Sequence, residues 1–190
     1  MEKFQAEMTA AFADEARPLV FGEGKTDAPQ IMLVGEAPGE QEESLHRPFV
    51  GRAGKNLDKF LKMVALDRRE IYVSNVVKVR PTSMGKTGRL RNRAPNQEEL
   101  KRFIPWLDRE IALVRPKMLV SLGNTPLHAL AQDENATIGQ VHGTIIPSRL
   151  GLPLFALYHP ASVIYRQALR TVYESDVLRL AEILKEVTSG

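Results

Sequence analysis

The feature that most constrains this chain is a set of short, almost wholly apolar runs that carry or lead into a glycine, asparagine or histidine: IMLVG (31–35), IYVSNVV (71–77), MLVSLG (118–123) and LFALYHP (154–160). Runs of this length without polar alternation are the pattern of strands buried on both faces. Between them apolar residues recur at helical spacing, Leu57, Phe60, Leu61 and Val64 within 54–66, and Leu100, Phe103, Ile104, Leu107 and Ile111 behind Asn96. Asn96, with Glu99 three residues on, has the form of a capping box. Phe4, Met8, Ala11 and Phe12 mark an amphipathic helix in the first 16 residues, and a short helix begins at Pro126. VHGTII (141–146) reads as a further strand, and a last helix spans roughly Val163 to Val187. Strands alternating with helices predict an α/β fold, three layers α/β/α around a central, mainly parallel four-stranded sheet, and residues 1–190 suit a single domain.

In such a sheet ligands bind beyond the carboxyl ends of the strands. That rule converts the strand reading into a site. Gly35-Glu36-Ala37-Pro38-Gly39 follows the first strand, Asn75 sits late in the second, Gly123-Asn124 follows the third, and His159-Pro160 follows the last. The polar and conformationally unusual residues converge on one rim.

Composition removes several kinds of chemistry. The chain has no cysteine, so disulfides, thiolate metal sites and cysteine nucleophiles are excluded. Its four histidines are scattered without His-x-x-x-His spacing, so neither a metal site nor a cofactor is expected. No apolar run reaches the roughly 18 residues of a membrane span, and the N-terminus does not resemble a secretion signal. A cytoplasmic address, no membrane and a monomer are the expectation. The net charge is only +3, but residues 78–93, KVRPTSMGKTGRLRNR, hold Lys78, Arg80, Lys86, Arg89, Arg91 and Arg93 with no acid among them. Such a stretch is the footprint expected beside a phosphate backbone, or else a solvated loop kept open by its own charge.

Each candidate residue has a plain alternative. Glu36 and Glu42 on the GEAPGEQEE turn are suited to orienting a water from a partly desolvated cleft, whereas Glu40 and Glu43 read as solvent-facing. Phe49, in the Gly-flanked loop RPFVGRAG (47–54), has the flat face that stacks on a base, or packs on the following helix. Asn75 presents a donor and an acceptor to a base edge, or satisfies turn backbone. His159 is a rim histidine, structural or catalytic. Asn92 and Arg93 lie in the basic loop, in phosphate contact or simply exposed.

Taken together, GEAPGEQEE, RPFVGRAG, SNVVKVRP, NRAP and YHPAS, in that order and spacing, resemble the fourth family of the uracil-DNA glycosylase superfamily over nearly the whole sequence. The resemblance implies a monofunctional DNA repair glycosylase that flips uracil out of DNA, hydrolyses its N-glycosidic bond and leaves an abasic site, as in base excision repair. It implies that Phe49 stacks on the extruded base, that Asn75 bonds its pairing edge, and that Ala37, Pro38 and Gly39 border it. Glu42 and Glu36 match the catalytic acids, with Glu42 the water-positioning one, and His159 matches the histidine facing the base's carbonyl oxygen. Lys78, Arg80, Asn92, Arg93, Ser162 and Arg166 are the implied DNA contacts, and Ala161 to Arg166 the segment that wedges into the gap. Alternatives are a glycosylase for another deaminated base such as hypoxanthine, a catalytically inactive nucleic-acid-binding relative, and a small-molecule nucleoside hydrolase.

Two features depart from that family's pattern. Its members typically carry four cysteines around an iron–sulfur cluster, whereas Val79 and Phe103 stand at two of those positions here and the N-terminal pair is missing. The loop SMGKTGRLR (83–91) is longer than the family's connection. The chain is therefore similar to a clusterless branch, with hydrophobic packing expected in the cluster's place.

Overall fold

A computed structural model of the chain describes residues 1–166 and 168–188, and the side chains of all of these except Tyr165, Val187 and Thr188. Four strands, β2 (Ile31–Gly35), β3 (Tyr72–Asn75), β6 (Met118–Leu122) and β8 (Pro153–Leu157), pair in parallel in the order β3-β2-β6-β8. Two short strands extend this sheet antiparallel at its edges, β1 (Glu23–Gly24) on β3 and β7 (Ile145–Pro147) on β8. The sheet thus has six strands, not four, around the expected parallel centre. A separate hairpin joins β4 (Thr82–Met84) to β5 (Leu90–Asn92).

The apolar runs form strands because both of their faces have something to cover. Met32 and Val34 of β2 enter one core with Leu119, Leu154 and Ala156, under α1 (Glu2–Ala11) and α4 (Gln97–Val114). Ile31 and Leu33 enter the other with Val120, Phe155 and Leu157, under α3 (Arg52–Met63) and α8 (Leu169–Thr188). Alternate residues of a strand point to opposite faces, so a strand between two helix layers must be apolar throughout. The capping box opens α4, where the Asn96 side chain accepts from the Glu99 N–H and the Glu99 carboxylate accepts from the Asn96 N–H.

Two sequence expectations need correction. Residues 141–146 are not one strand. The Thr137 N–H and hydroxyl both donate to Gln140 Oε1 and the Ile138 N–H donates to Asn124 Oδ1, which starts a short helix, α6 (Ile138–Val141), before β7. The final helix is also broken. Pro160 supplies the first turn of α7 (Pro160–Tyr165), which ends where Arg166 adopts φ −131° and ψ 87°.

The chain passes from β2 to β3 on one side and to β6 on the other, so the crevice between the ends of β2 and β6 is where the strand order reverses. Two further helices start at this rim, α2 (Glu40–Leu45) after β2 and α5 (Asn124–Leu130) after β6.

Candidate active site

A cleft of about 660 Å³ opens at this rim. It brings together residues from four strand ends: Glu36 to Gly39 after β2, Asn75 at the end of β3, Gly123 to Thr125 after β6, and Tyr158 and His159 after β8. Of the residues proposed from sequence, Glu36, Ala37, Pro38, Gly39, Glu42, Phe49, Asn75, Asn92, Arg93, His159 and Ser162 all line it.

Its floor is Gly35. A Cβ placed there would stand 2.4 Å from both Asn75 Oδ1 and Phe49 Cζ, so both side chains cross directly over the bare α-carbon. Only a residue without a side chain permits that approach. Phe49 reaches this position with φ +53°, and its carbonyl oxygen would lie 1.7 Å from a Cβ on Gly54. The ring of Phe49 faces that of His159, with centroids 6.2 Å apart and planes inclined by 32°. Phe49 and Asn75 are buried in the protein while presenting one face to the cleft.

Glu42 sits in the first turn of α2 and divides its oxygens between two tasks. Oε1 accepts from the Val50 N–H at 3.0 Å and the Gly51 N–H at 2.7 Å, tying α2 to the Phe49 loop. Oε2 lies beside Gly39, which the Asn92 amide also approaches, and has no hydrogen bond among the described residues. Glu36 accepts from the Thr125 hydroxyl, a bond that spans the crevice between β2 and β6. Thr125 was invisible to sequence reasoning, because nothing in TPLHAL distinguishes a site threonine from one that begins a helix.

His159 caps α7, its Nδ1 accepting from the Ala161 N–H at 3.1 Å. A ring whose Nδ1 is an acceptor carries its proton on Nε2 when neutral. Burial drives the pKa down from 6.5 to about 4, and outweighs the nearby Glu42 carboxylate, which pulls the other way. The ring is therefore a neutral donor at ordinary pH.

Three of the basic residues read as DNA contacts have other partners. Lys78 is the clearest correction: it is fully buried, its Nζ 2.6 Å from Ser74 Oγ, from the Asn75 carbonyl oxygen and from Glu110 Oε2. No phosphate can reach it. Arg80 is also buried, donating from Nε to Asn92 Oδ1 at 2.7 Å and from Nη1 to Glu43 at 3.2 Å. It holds the cleft wall, and so corrects the reading of Glu43 as purely solvent-facing. Arg93 stays at the rim but forks onto Glu99, with 2.6 and 2.8 Å contacts. Arg166, at the end of α7, is exposed.

The positions at which the resemblance places cluster cysteines do not suit an iron–sulfur cluster. Val79 is fully buried, and Phe103 stacks on Phe12 with centroids 4.5 Å apart. Phe4, Met8 and Phe12 of the first helix and its end fill the same core. Side chains that offer no thiolate occupy the volume, so no step involving a cluster belongs to this chain. Among the described residues, no group of His, Asp or Glu is placed to hold a metal ion, and no helix is long and apolar enough to cross a membrane.

A family model described as the uracil DNA glycosylase superfamily matches residues 21–181. The chain is 38% identical over 160 residues to the type-4 uracil-DNA glycosylase of Archaeoglobus fulgidus, covering 81% of this chain and 76% of that one. It is 37% identical over 169 residues to the type-4 uracil-DNA glycosylase of Sulfurisphaera tokodaii, covering 85% and 73%. The corresponding protein of Thermotoga maritima is 32% identical over 170 residues, covering 88% and 84%. The matched span contains every residue of the cleft described above, and the chain belongs to the uracil DNA glycosylase superfamily.

Proposed function

We propose that this chain is a monofunctional DNA repair glycosylase that hydrolyses the N-glycosidic bond of deoxyuridine in DNA. The observation that carries the reading is the meeting of Phe49 and Asn75 over Gly35, with His159 opposite and the free oxygen of Glu42 in the same cleft. An enzyme that works on a base within a duplex must extrude it, at a cost of a few kcal/mol. The extruded uracil stacks on Phe49, and the Asn75 amide bonds its pairing edge.

As the bond between C1′ and N1 breaks, its electron pair leaves with the base, and negative charge grows on the base's carbonyl oxygen. His159 Nε2–H is the donor for that charge, and its depressed pKa keeps it a hydrogen-bond donor rather than a cation. The sugar becomes electron-poor in the same step. Glu42 Oε2 orients a water toward C1′ and takes up its proton when the new bond to oxygen forms, while Glu36 adds negative charge on the sugar's side. Ser162 on α7 and Arg166 just after it, with Asn92 and Arg93 from the cleft wall, contact the strand around the extruded nucleotide. We read the chain as a single domain that works as a monomer in the cytoplasm, a reading that fits its lack of cysteine.

The test is release of uracil from an oligonucleotide by the parent chain, by Glu42→Gln and by His159→Ala. The expected result is a loss of about a hundredfold or more in each variant, the size typical of a removed acid–base or oxyanion-stabilising group. Full activity in both variants would overturn the mechanism. An oligonucleotide panel carrying uracil or hypoxanthine settles the lesion.

A further inference from the structure

The hairpin between β4 and β5 stands apart from the main sheet, and its roots are in the cleft wall, where Pro81, Asn92 and Arg93 line the site. Its base is fixed: the Arg93 N–H donates to the Pro81 carbonyl and Arg93 Nε to that of Thr82. The register pairs Thr82 with Asn92, Ser83 with Arg91 and Met84 with Leu90. Directly opposed residues share a face, and residues two apart along a strand return to it. Met84 and Leu90 therefore project on the face that Asn92 presents at the cleft. They are 69% and 56% exposed, two large apolar side chains with no core to enter.

The charge on this hairpin is equally unpartnered. Lys86, Arg89 and Arg91 are exposed, and none makes an ion pair among the described residues. Arg80 and Arg93, at the hairpin's base, are both engaged with carboxylates. Lys86 and Arg89 lie at the turn, and Arg91, paired with Ser83 on the other face, runs back over Gly85. Three cations around the tip that carries an exposed apolar pair, at the mouth of a cleft sized for a base, match one ligand chemistry: apolar sugar and base surface bordered by phosphates.

We propose that the β4–β5 hairpin is a DNA-gripping arm. Met84 and Leu90 pack against the sugars and bases beside the extruded nucleotide, and Lys86, Arg89 and Arg91 bind the flanking phosphates. Proteins that hold distorted DNA often place apolar side chains against unstacked bases in this way. The proposal rests on the reading of the cleft as a site for a base in DNA, and it moves the phosphate contacts from Lys78 and Arg80 to the tip of the loop.

The experiment measures binding of the full chain to a duplex with a stable abasic analogue, by fluorescence anisotropy over a salt series, beside uracil release. Removing three phosphate contacts in K86A/R89A/R91A should weaken binding about tenfold or more and flatten the slope of log affinity against log salt by about 2 to 3. M84S/L90S should weaken binding at every salt concentration without changing the slope. Arg89→Glu, a surface exchange that leaves the backbone hydrogen bonds intact, should move the slope in the same direction as the triple variant. Unchanged affinity and slope in K86A/R89A/R91A and Arg89→Glu, with uracil still released, would overturn the arm alone. Weaker binding by those variants from a parent that releases no uracil would support the arm and overturn the glycosylase reading. A parent that binds no DNA would overturn both.

Discussion

Arg68 donates from Nη1 to the carbonyl oxygen of Phe49 at 2.9 Å, gripping the backbone of the residue proposed to stack on the base. Its other terminal nitrogen donates to the Pro48 carbonyl at 2.5 Å, and its guanidinium also meets Asp58 and Glu23, each at 3.1 Å. Phe49 needs such a clamp, because a left-handed backbone conformation at a non-glycine residue costs about 1–3 kcal/mol. The fork holds two successive carbonyls and thereby fixes the peptide that aims the ring.

Arg68→Ala should release that peptide. Because small misplacements of a positioning group are costly, uracil release should fall by about ten- to a hundredfold. Arg68→Lys should recover little, since an ammonium has no planar fork for two carbonyls. Steady-state kinetics with thermal melting of the same variants checks this. Activity equal to the parent's in Arg68→Ala would show that the loop holds Phe49 unaided.

Gly35→Ala places a methyl group 2.4 Å from both Asn75 Oδ1 and Phe49 Cζ. Both contacts are with residues that are themselves buried, so each can retreat only toward the cleft it lines. Overpacking of this kind costs about 1–3 kcal/mol of stability. The catalytic loss should be larger, about a hundredfold, because the two groups proposed to contact the base shift together. Urea denaturation and uracil release on one preparation separate the two effects.

Much of this was readable in the sequence, for a physical reason. A strand covered on both faces has to be apolar throughout, so β2, β6 and β8 announce themselves, and the Asn96–Glu99 capping box is a local signal. The rim residues follow from where the strands end. What escaped depends on partners distant in the chain. Lys78 reads as a surface cation until Glu110, 32 residues later, is seen beneath it. The β4–β5 hairpin escaped because each strand is three residues long and unburied, with a single apolar residue and so no alternation to detect. The edge strand β1 escaped because two residues carry no periodicity.

The buried pair gives a prediction that separates the two readings of Lys78. Lys78 and Glu110 are both fully buried, and the Tyr72 and Ser74 hydroxyls donate to the same carboxylate. Removing one member of such a pair leaves an uncompensated charge, at a cost of about 3–5 kcal/mol. Lys78→Met should therefore lower the unfolding free energy by that order, and K78M/E110L should recover part of the loss. The salt slope of DNA binding, measured at a temperature where the variant is folded, should match the parent's. A flattened slope in Lys78→Met would restore Lys78 as a phosphate contact.

The last prediction concerns His159, whose pKa falls from 6.5 to about 4 through burial in the folded protein. Above about pH 6.5 the ring is neutral in both folded and unfolded chains, and its titration contributes nothing to the pH dependence. Between about 6.5 and about 4 the unfolded chain takes up a proton that the folded chain does not. Stability present above 6.5 is therefore lost as pH falls through that window. The ring is only half-buried, so after solvent screening the loss attributable to it is about 1–2 kcal/mol. Unfolding free energies of the parent and of His159→Asn, measured from neutral pH down to about 4.5, should diverge in slope, with the parent falling more steeply. Uracil release should show no inflection from this residue near 6.5, because the neutral Nε2–H donor is already fully populated there. Parallel stability curves, together with an activity step near 6.5 that vanishes in His159→Asn, would mean that the imidazole is exposed to solvent and charges like a free histidine.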